Sequence, residues 1–275
     1  LGASHGFNSV HGRMPSVLTG ASLANRDLLY LGISGDGDSA SIGLGQFVNS
    51  MRRNVNMTYI VENNGVYGLT KGQFSATADK GSTSKRGAVN ADSPVELVDL
   101  ALQMGATFVA RSFSGDKAQL VPLIKGAMRH HGAAFIDVIS PCVTFNNHPG
   151  STRSYDYVRA HNEAVNRIDF IAPRSEITTQ YAPGEVTDVR MHDGSLLRLR
   201  KLNSDYSPTD RSAAMKYLHD HRLQGEVVTG LLYVETGTPD FADSMHLAER
   251  PLNTMGKAEL CPGQAELETI NRGFR

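Results

Sequence analysis

Gly35-Asp36-Gly37 is followed by Asn63-Asn64 in the pattern GDG-x25-NN, and an extended run leads into each half of it. Leu28 to Ser34 precedes the GDG and Met57 to Val61 precedes the Asn pair. The intervening Ala40–Arg53 has helical spacing through Ile42, Phe47 and Met51. A strand–GDG–helix–strand–NN order limits the fold to one in which both motifs lie beyond the C-terminal ends of parallel strands, where open α/β sheets hold ligands. The chemistry of the motif fits that place. A carboxylate (Asp36) and an amide oxygen (Asn64) are hard donors of the kind Mg²⁺ shares with phosphates. The glycines let backbone come close to a diphosphate, and a helix N-terminus following them favours its charge. Alone, GDG or NNG is a turn after a strand. Together, at this spacing, they point to a divalent cation and a diphosphate. The carbonyl of Val66, two residues past Asn64, could complete the protein's share of the cation.

The alternation continues beyond the motif. Gly65 to Ala91 is rich in Gly, Thr, Ser and Lys and too long for an idle connection, which makes it a candidate functional loop. Ser93 as N-cap, Pro94 at N1 and Glu96 at N3 form a capping-box signature ahead of Val95, Leu97, Val98 and Leu102. Thr107–Ala110 reads as a strand, Lys117–His130 as a helix and Ala133–Ile139 as a strand. The expected fold class is therefore α/β, a mostly parallel sheet with helices on both faces. His130-His131 before Gly132 reads as helix C-terminal chemistry and not as a metal site. After Cys142 the pattern changes. Residues 146–184 are polar and Pro-punctuated, with a helix expected at Asp156–Arg167. Val186–Met191 and Leu196–Lys201 flank His192-Asp193-Gly194-Ser195 as a hairpin. Arg211–His221 is helical, Val227–Val234 is a strand, and Pro251 to Arg275 has weak regularity. The expected organisation is a binding domain over residues 1–150 and a C-terminal extension over 151–275 that packs on the body or on a partner.

Composition excludes some classes. Net charge is −1 and no Trp is present, so nothing marks a nucleic-acid surface. No apolar run approaches the roughly 18 residues of a membrane span. Two cysteines, Cys142 and Cys261, are too few for a disulfide framework, so a soluble, cytoplasmic protein is expected. The chain opens on Leu1 without a signal region, which is read as a start part-way into a longer protein or a trimmed one.

Several stretches carry a family resemblance: HGRMPSVLTGASLAN (11–25), ISGDGDSASIGLGQF (33–47), RRNVNMTYIVENNGVYGLTKGQFSAT (52–77) and SPCVTFNNH (140–148). They resemble the β subunit of bacterial and archaeal 2-oxoacid:ferredoxin oxidoreductases, most of all the variants acting on 2-oxoglutarate. PLNTMGKAELCPG resembles the tail of that subgroup. The resemblance implies that the chain binds the diphosphate of thiamine diphosphate and its Mg²⁺. Asp36, Asn64 and the Val66 carbonyl would be the metal ligands. Gly35, Gly37, Asp38 and Ser39 would lie against the diphosphate. The loop from Tyr67 through Leu69, Thr70 and Lys71 to Gln73 would border the thiazolium and the substrate, with Lys71 as a partner for a substrate carboxylate. His11 and Arg13 would sit at the same pocket.

The family's chemistry explains the parts. The cofactor's carbanion attacks the keto carbon and serves as electron sink while CO₂ leaves. Electrons then pass singly through a [4Fe–4S] cluster to ferredoxin, and CoA accepts the acyl group. The Glu that generates the carbanion lies on a second type of domain, so the resemblance implies a partner α subunit that supplies it, in a heterotetramer. A single chain would be inactive. Cys142 matches one of four cluster cysteines. The other three would lie upstream, where Leu1–Phe7 has none, so the cluster is expected only of a longer protein. Cys261 has no assigned role. Two other readings remain open: a non-redox thiamine diphosphate lyase or synthase subunit, and a non-catalytic assembly protein on the same fold.

Overall fold

The computed structural model describes residues 4–68, 72–83, 88–140, 177–190, 196–261 and 263–274. Its centre is a seven-stranded sheet in the order β1-β2-β6-β5-β9-β8-β7. The strands are β1 (Leu31–Gly35), β2 (Met57–Asn63), β5 (Phe108–Phe113), β6 (Ala133–Ile139), β7 (Val186–Arg190), β8 (Leu196–Lys201) and β9 (Val227–Val234). β3 (Val66–Tyr67) and β4 (Gln73–Phe74) form a separate two-stranded ribbon. The first four strands of the sheet are mutually parallel, β9 joins β5 antiparallel, and β8 lies parallel to β9. The sheet is thus mostly parallel, as its sequence rhythm indicates.

β2 and β6 read as almost unbroken apolar runs because helices cover both faces. On one face α2 (Leu44–Arg52), α3 (Leu97–Gln103) and α5 (Arg211–Leu223) pack Phe47, Met51, Leu97, Val98, Leu102 and Leu218 over Tyr59 and Phe135. Phe47, Tyr59 and Phe135 meet edge-on, with centroids 5.0 to 6.1 Å apart. On the other face α4 (Lys117–Arg129) sets Leu120, Leu123 and Ile124 over Ile60, Phe108 and Ile136. α1 (Met14–Ala24) packs along β1, and Gly32 makes this possible, since a Cβ there would lie 2.2 Å from the Met14 sulfur.

Several elements differ from the sequence expectation. β1 begins at Leu31, leaving Leu28 and Leu29 exposed ahead of it. The helix after GDG starts earlier than expected, as a π-helical turn over Gly37–Ile42, and Gly43 separates it from α2. The Ser93 capping box does not form. α3 starts at Leu97 with Glu96 as N-cap, and the Glu96 carboxylate accepts from Arg111 instead of from the helix amides. A cap contributes about 1 kcal/mol, whereas a buried guanidinium without a partner costs several, so the ion pair takes the carboxylate. α4, β6, β7, β8, α5 and β9 fall where expected to within two residues. The helix expected at Asp156–Arg167 and the turn at 192–195 lie outside the described residues. The tail carries α7 (Lys257–Leu260) and α8 (Gln264–Arg272), after α6 (Phe241–Ser244); the described residues of α8 are all exposed. No helix among the described residues is long and apolar enough to cross a membrane.

Candidate metal and diphosphate site

β1 and β2 end side by side, with Gly35 paired to Glu62, so Asp36 and Asn64 emerge next to each other. Asp36 is almost fully buried, and its two oxygens have different partners. Oδ2 accepts from the hydroxyls of Ser75 and Thr77, the latter at 2.5 Å. Among the described residues, Oδ1 meets only the Asn64 amide, at a long 3.4 Å. The Asn64 Oδ1 accepts from the Val66 amide at 3.1 Å, an Asx turn that orients the side chain. A carboxylate and an amide oxygen at adjacent strand ends suit a hard divalent cation. With one Asp36 oxygen saturated and the other facing Asn64, these residues fit that ion.

The turn after Asp36 is held from three sides. The Tyr67 hydroxyl donates to the Gly37 carbonyl at 2.9 Å, with the ring beside Gly37. A Cβ at Gly37 would come within 2.5 Å of that ring. The Tyr59 hydroxyl donates to Ser39 Oγ at 2.9 Å. Burial pushes the Tyr59 pKa up to about 12, so it remains a donor. The Ser41 hydroxyl accepts from the Ala76 amide at 3.0 Å. As the start of a helical segment, this turn leaves its first amides without partners inside the helix, an arrangement suited to phosphate oxygens.

Asp38 uses its carboxylate internally. It takes the His11 Nδ1 at 2.8 Å, the Gly12 amide at 2.8 Å and the Ser34 hydroxyl at 2.7 Å. The His-Gly-Arg segment is thereby clamped beside the GDG turn. The His11 ring itself is largely exposed, and Arg13 is exposed at the start of α1. Gly12 adopts φ +75° and touches Gly43 backbone, so no side chain fits there.

The structure therefore gathers Gly35, Asp36, Gly37, Asp38, Ser39, Asn64, Val66, Tyr67 and His11 at one place. Leu69, Thr70, Lys71 and Cys142 lie outside the described residues.

Behind the site runs a buried polar chain absent from the sequence reading. The Thr77 hydroxyl lies 3.0 Å from Asn63 Oδ1, and Asn63 Nδ2 donates to Asp137 Oδ1 at 3.0 Å. Asp137 on β6 and Arg111 on β5 are register partners, joined at 2.7 Å, and Arg111 reaches Glu96 at 2.9 Å. Burial by itself would lower the Arg111 pKa, but Asp137 and Glu96 outweigh it and hold the guanidinium charged. Burial raises the Asp137 pKa against the pull of Arg111. Burial also opposes ionisation of Glu96, yet Arg111 holds that carboxyl below its usual range. An Arg inside FVARSF and an Asp inside AAFIDVI were the available signals, since charges seldom enter buried strands unless paired.

At the opposite end of the sheet His131, Asp240 and Asp243 bring ligand-type atoms within 4.8 Å of one another. Arg26 is ion-paired to both carboxylates, and so supplies their counter-charge.

The fold and site define the diphosphate-side domain of a thiamine enzyme. Residues 3–138 match the family described as thiamine pyrophosphate enzyme, C-terminal TPP binding domain. The 2-oxoglutarate oxidoreductase subunit KorB of Mycobacterium tuberculosis is 41% identical over 145 residues, covering 52% of this chain and 39% of that protein. The 2-oxoacid:ferredoxin oxidoreductase subunit beta of Saccharolobus solfataricus is 46% identical over 143 residues, covering 52% and 47%. Among solved structures, 2-oxoglutarate:ferredoxin oxidoreductase from Magnetococcus marinus, with 2-oxoglutarate, coenzyme A and succinyl-CoA bound, superposes with a TM-score of 0.64. It is 30% identical and covers 91% of this chain and 72% of that one. The chain belongs to the 2-oxoacid:ferredoxin oxidoreductase family, on its β-subunit side. The matched segment spans less than half the length of the first two relatives.

Proposed function

We propose that this chain forms the Mg²⁺- and diphosphate-binding half of a thiamine diphosphate site that oxidatively decarboxylates a 2-oxoacid, in the first instance 2-oxoglutarate. The observation that carries it is the placement of Asp36 and Asn64 at the adjacent ends of β1 and β2, with Asp36 presenting one uncommitted oxygen. Asp36, Asn64 and the Val66 carbonyl hold the cation, and the Gly37–Ile42 turn lies against the diphosphate. When bound, thiamine diphosphate supplies a nucleophilic carbon and an electron sink for loss of CO₂. His11, clamped by Asp38, and Arg13 border the substrate side, and Lys71 offers a cation to a substrate carboxylate.

The names of the relatives support ferredoxin, coenzyme A and a partner subunit, and the sequence resemblance carries the remaining parts. Cys142 would be one thiolate ligand of a [4Fe–4S] cluster completed in a longer protein; the cluster would supply one-electron transfer to ferredoxin, and CoA would accept the acyl group. An α subunit supplies the carboxylate for carbanion formation in a heterotetramer in the cytoplasm. Residues 1–150 act as the binding unit and 151–275 as the extension, and the pairing of β9 on β5 supports its packing on the body.

The test is titration calorimetry of thiamine diphosphate into the assembled complex, with and without Mg²⁺. Mg²⁺-dependent binding that is lost in Asp36→Ala and Asn64→Ala is expected. Unchanged affinity in both variants overturns the reading.

A further inference from the structure

The Asp36 carboxylate is oriented by two hydroxyls that no part of the GDG or NN motif contains. We propose that Thr77, assisted by Ser75, is a positioning residue that fixes Asp36 as a one-oxygen ligand for the divalent cation; this rests on the cation reading above.

The proton count favours that role. Ser75 Oγ donates to Asp36 Oδ2 and itself faces the Thr77 amide at 3.3 Å. The Thr77 hydroxyl has one proton and three oxygens in reach, Asp36 Oδ2 at 2.5 Å, Ser75 Oγ at 2.9 Å and Asn63 Oδ1 at 3.0 Å. Asn63 turns its oxygen toward Thr77 because its amide nitrogen is engaged by Asp137. The charged and closer acceptor takes the proton, so Oδ2 receives two charge-assisted bonds. Oδ1 is left with a 3.4 Å amide contact. A carboxylate held by one oxygen cannot rotate into a two-oxygen grip on the metal. Its free oxygen keeps one direction, toward Asn64.

Ser75 and Thr77 also lie in the segment just after β4. The Ser75 amide bonds the Gly65 carbonyl at 3.1 Å and the Ala76 amide bonds Ser41. A hydroxyl that only anchored this segment would affect folding and leave metal affinity alone. Outer partners of metal ligands, by contrast, alter affinity by about 10- to 100-fold when removed.

The experiment measures Mn²⁺ affinity in the assembled complex with excess thiamine diphosphate, by the electron paramagnetic resonance signal of free Mn²⁺, alongside thermal unfolding. Thr77→Val is expected to weaken Mn²⁺ by about tenfold or more, and Thr77→Ser to stay within about threefold of the parent. Ser75→Ala should shift affinity in the same direction, and it decides the matter if Thr77→Val does not fold. Asp36→Ala is the reference. If it abolishes Mn²⁺ binding while Thr77→Val and Ser75→Ala bind like the parent, the positioning role is wrong and the cation reading stands. If Asp36→Ala binds Mn²⁺ like the parent, the cation reading itself falls.

Discussion

Replacing Arg111 by Met tests whether the buried polar chain is held by charge pairing. Arg111 keeps 8% of its side-chain surface and Asp137 none, so the substitution leaves a carboxylate sealed in the sheet. Its remaining donor is the Asn63 amide at 3.0 Å. Breaking a buried pair this way costs about 3–5 kcal/mol. A ceiling comes from the alternative open to Asp137, which is to take up a proton. For a carboxyl of ordinary pKa 3.8, that costs about 4 kcal/mol at neutral pH. The expected loss is therefore about 3–4 kcal/mol, or a fall in Tm on the order of 10 °C for a chain of this size. The sign with pH follows. Without Arg111 the folded-state pKa of Asp137 rises further, so stability relative to the parent recovers as pH falls and is lost as pH rises through that pKa. Asp137→Asn alone costs less, because Arg111 keeps Glu96. Arg111→Met with Asp137→Asn should recover at least half the loss. Urea unfolding of the full chain at about pH 7 and pH 5.5 measures all three variants. A loss below about 1 kcal/mol for Arg111→Met, or one that does not change with pH, refutes the reasoning.

Gly37→Ala puts a Cβ within 2.5 Å of the Tyr67 ring and displaces the hydroxyl from the Gly37 carbonyl. Calorimetry should show weakened Mg²⁺-dependent thiamine diphosphate binding, partly restored by Tyr67→Leu in the same chain, and an unfolding cost of about 1–3 kcal/mol. His130 has its pKa held below the ordinary 6.5, first by burial and then by His131 beside it. Its contribution to stability is therefore present above about 6.5 and lost as pH falls toward the lowered folded value, because only the unfolded chain protonates there. Tm followed from about pH 7.5 to 5.5 should fall less steeply in His130→Gln than in the parent; equal slopes would remove His130 from the account.

The parts of the fold that could be read from sequence are those with local signals. β6 and β9 match their apolar runs end to end, and α4 has Asp116 accepting from the Gln119 amide as a local cap. The parallel start of the sheet followed from two strands joined by a helix. What could not be read depends on partners far along the chain. Glu96 left its capping box because Arg111, from the next strand, needed a counter-charge. Arg111 and Asp137 are 26 residues apart, and only the register of β5 against β6 sets them opposite. The antiparallel return of β9 to β5 has no local signature either. At the site, Asp36 and Asn64 were legible because strand ends fix where they point. Ser75 and Thr77 were not, because in a Gly-, Ser- and Thr-rich segment no period separates a hydroxyl that folds back from one that faces water.

That folding back alters how the 65–91 segment is to be understood. Tyr67 bonds Gly37, Ala76 bonds Ser41, and Ser75 and Thr77 bond Asp36. All three attachments end on Asp36 or the turn just after it, so the segment and the GDG turn form one unit. The sequence presents them as a rigid motif followed by a loop. Their bonds mean that displacing the turn costs the hydrogen bonds of the segment as well, and unfolding the segment frees the Asp36 carboxylate to rotate. Tyr67, Ser75, Ala76 and Thr77 are thus tied to Asp36 or to the turn just after it. A variant that breaks one of these bonds should therefore loosen the GDG turn and the Ser75–Thr77 segment together.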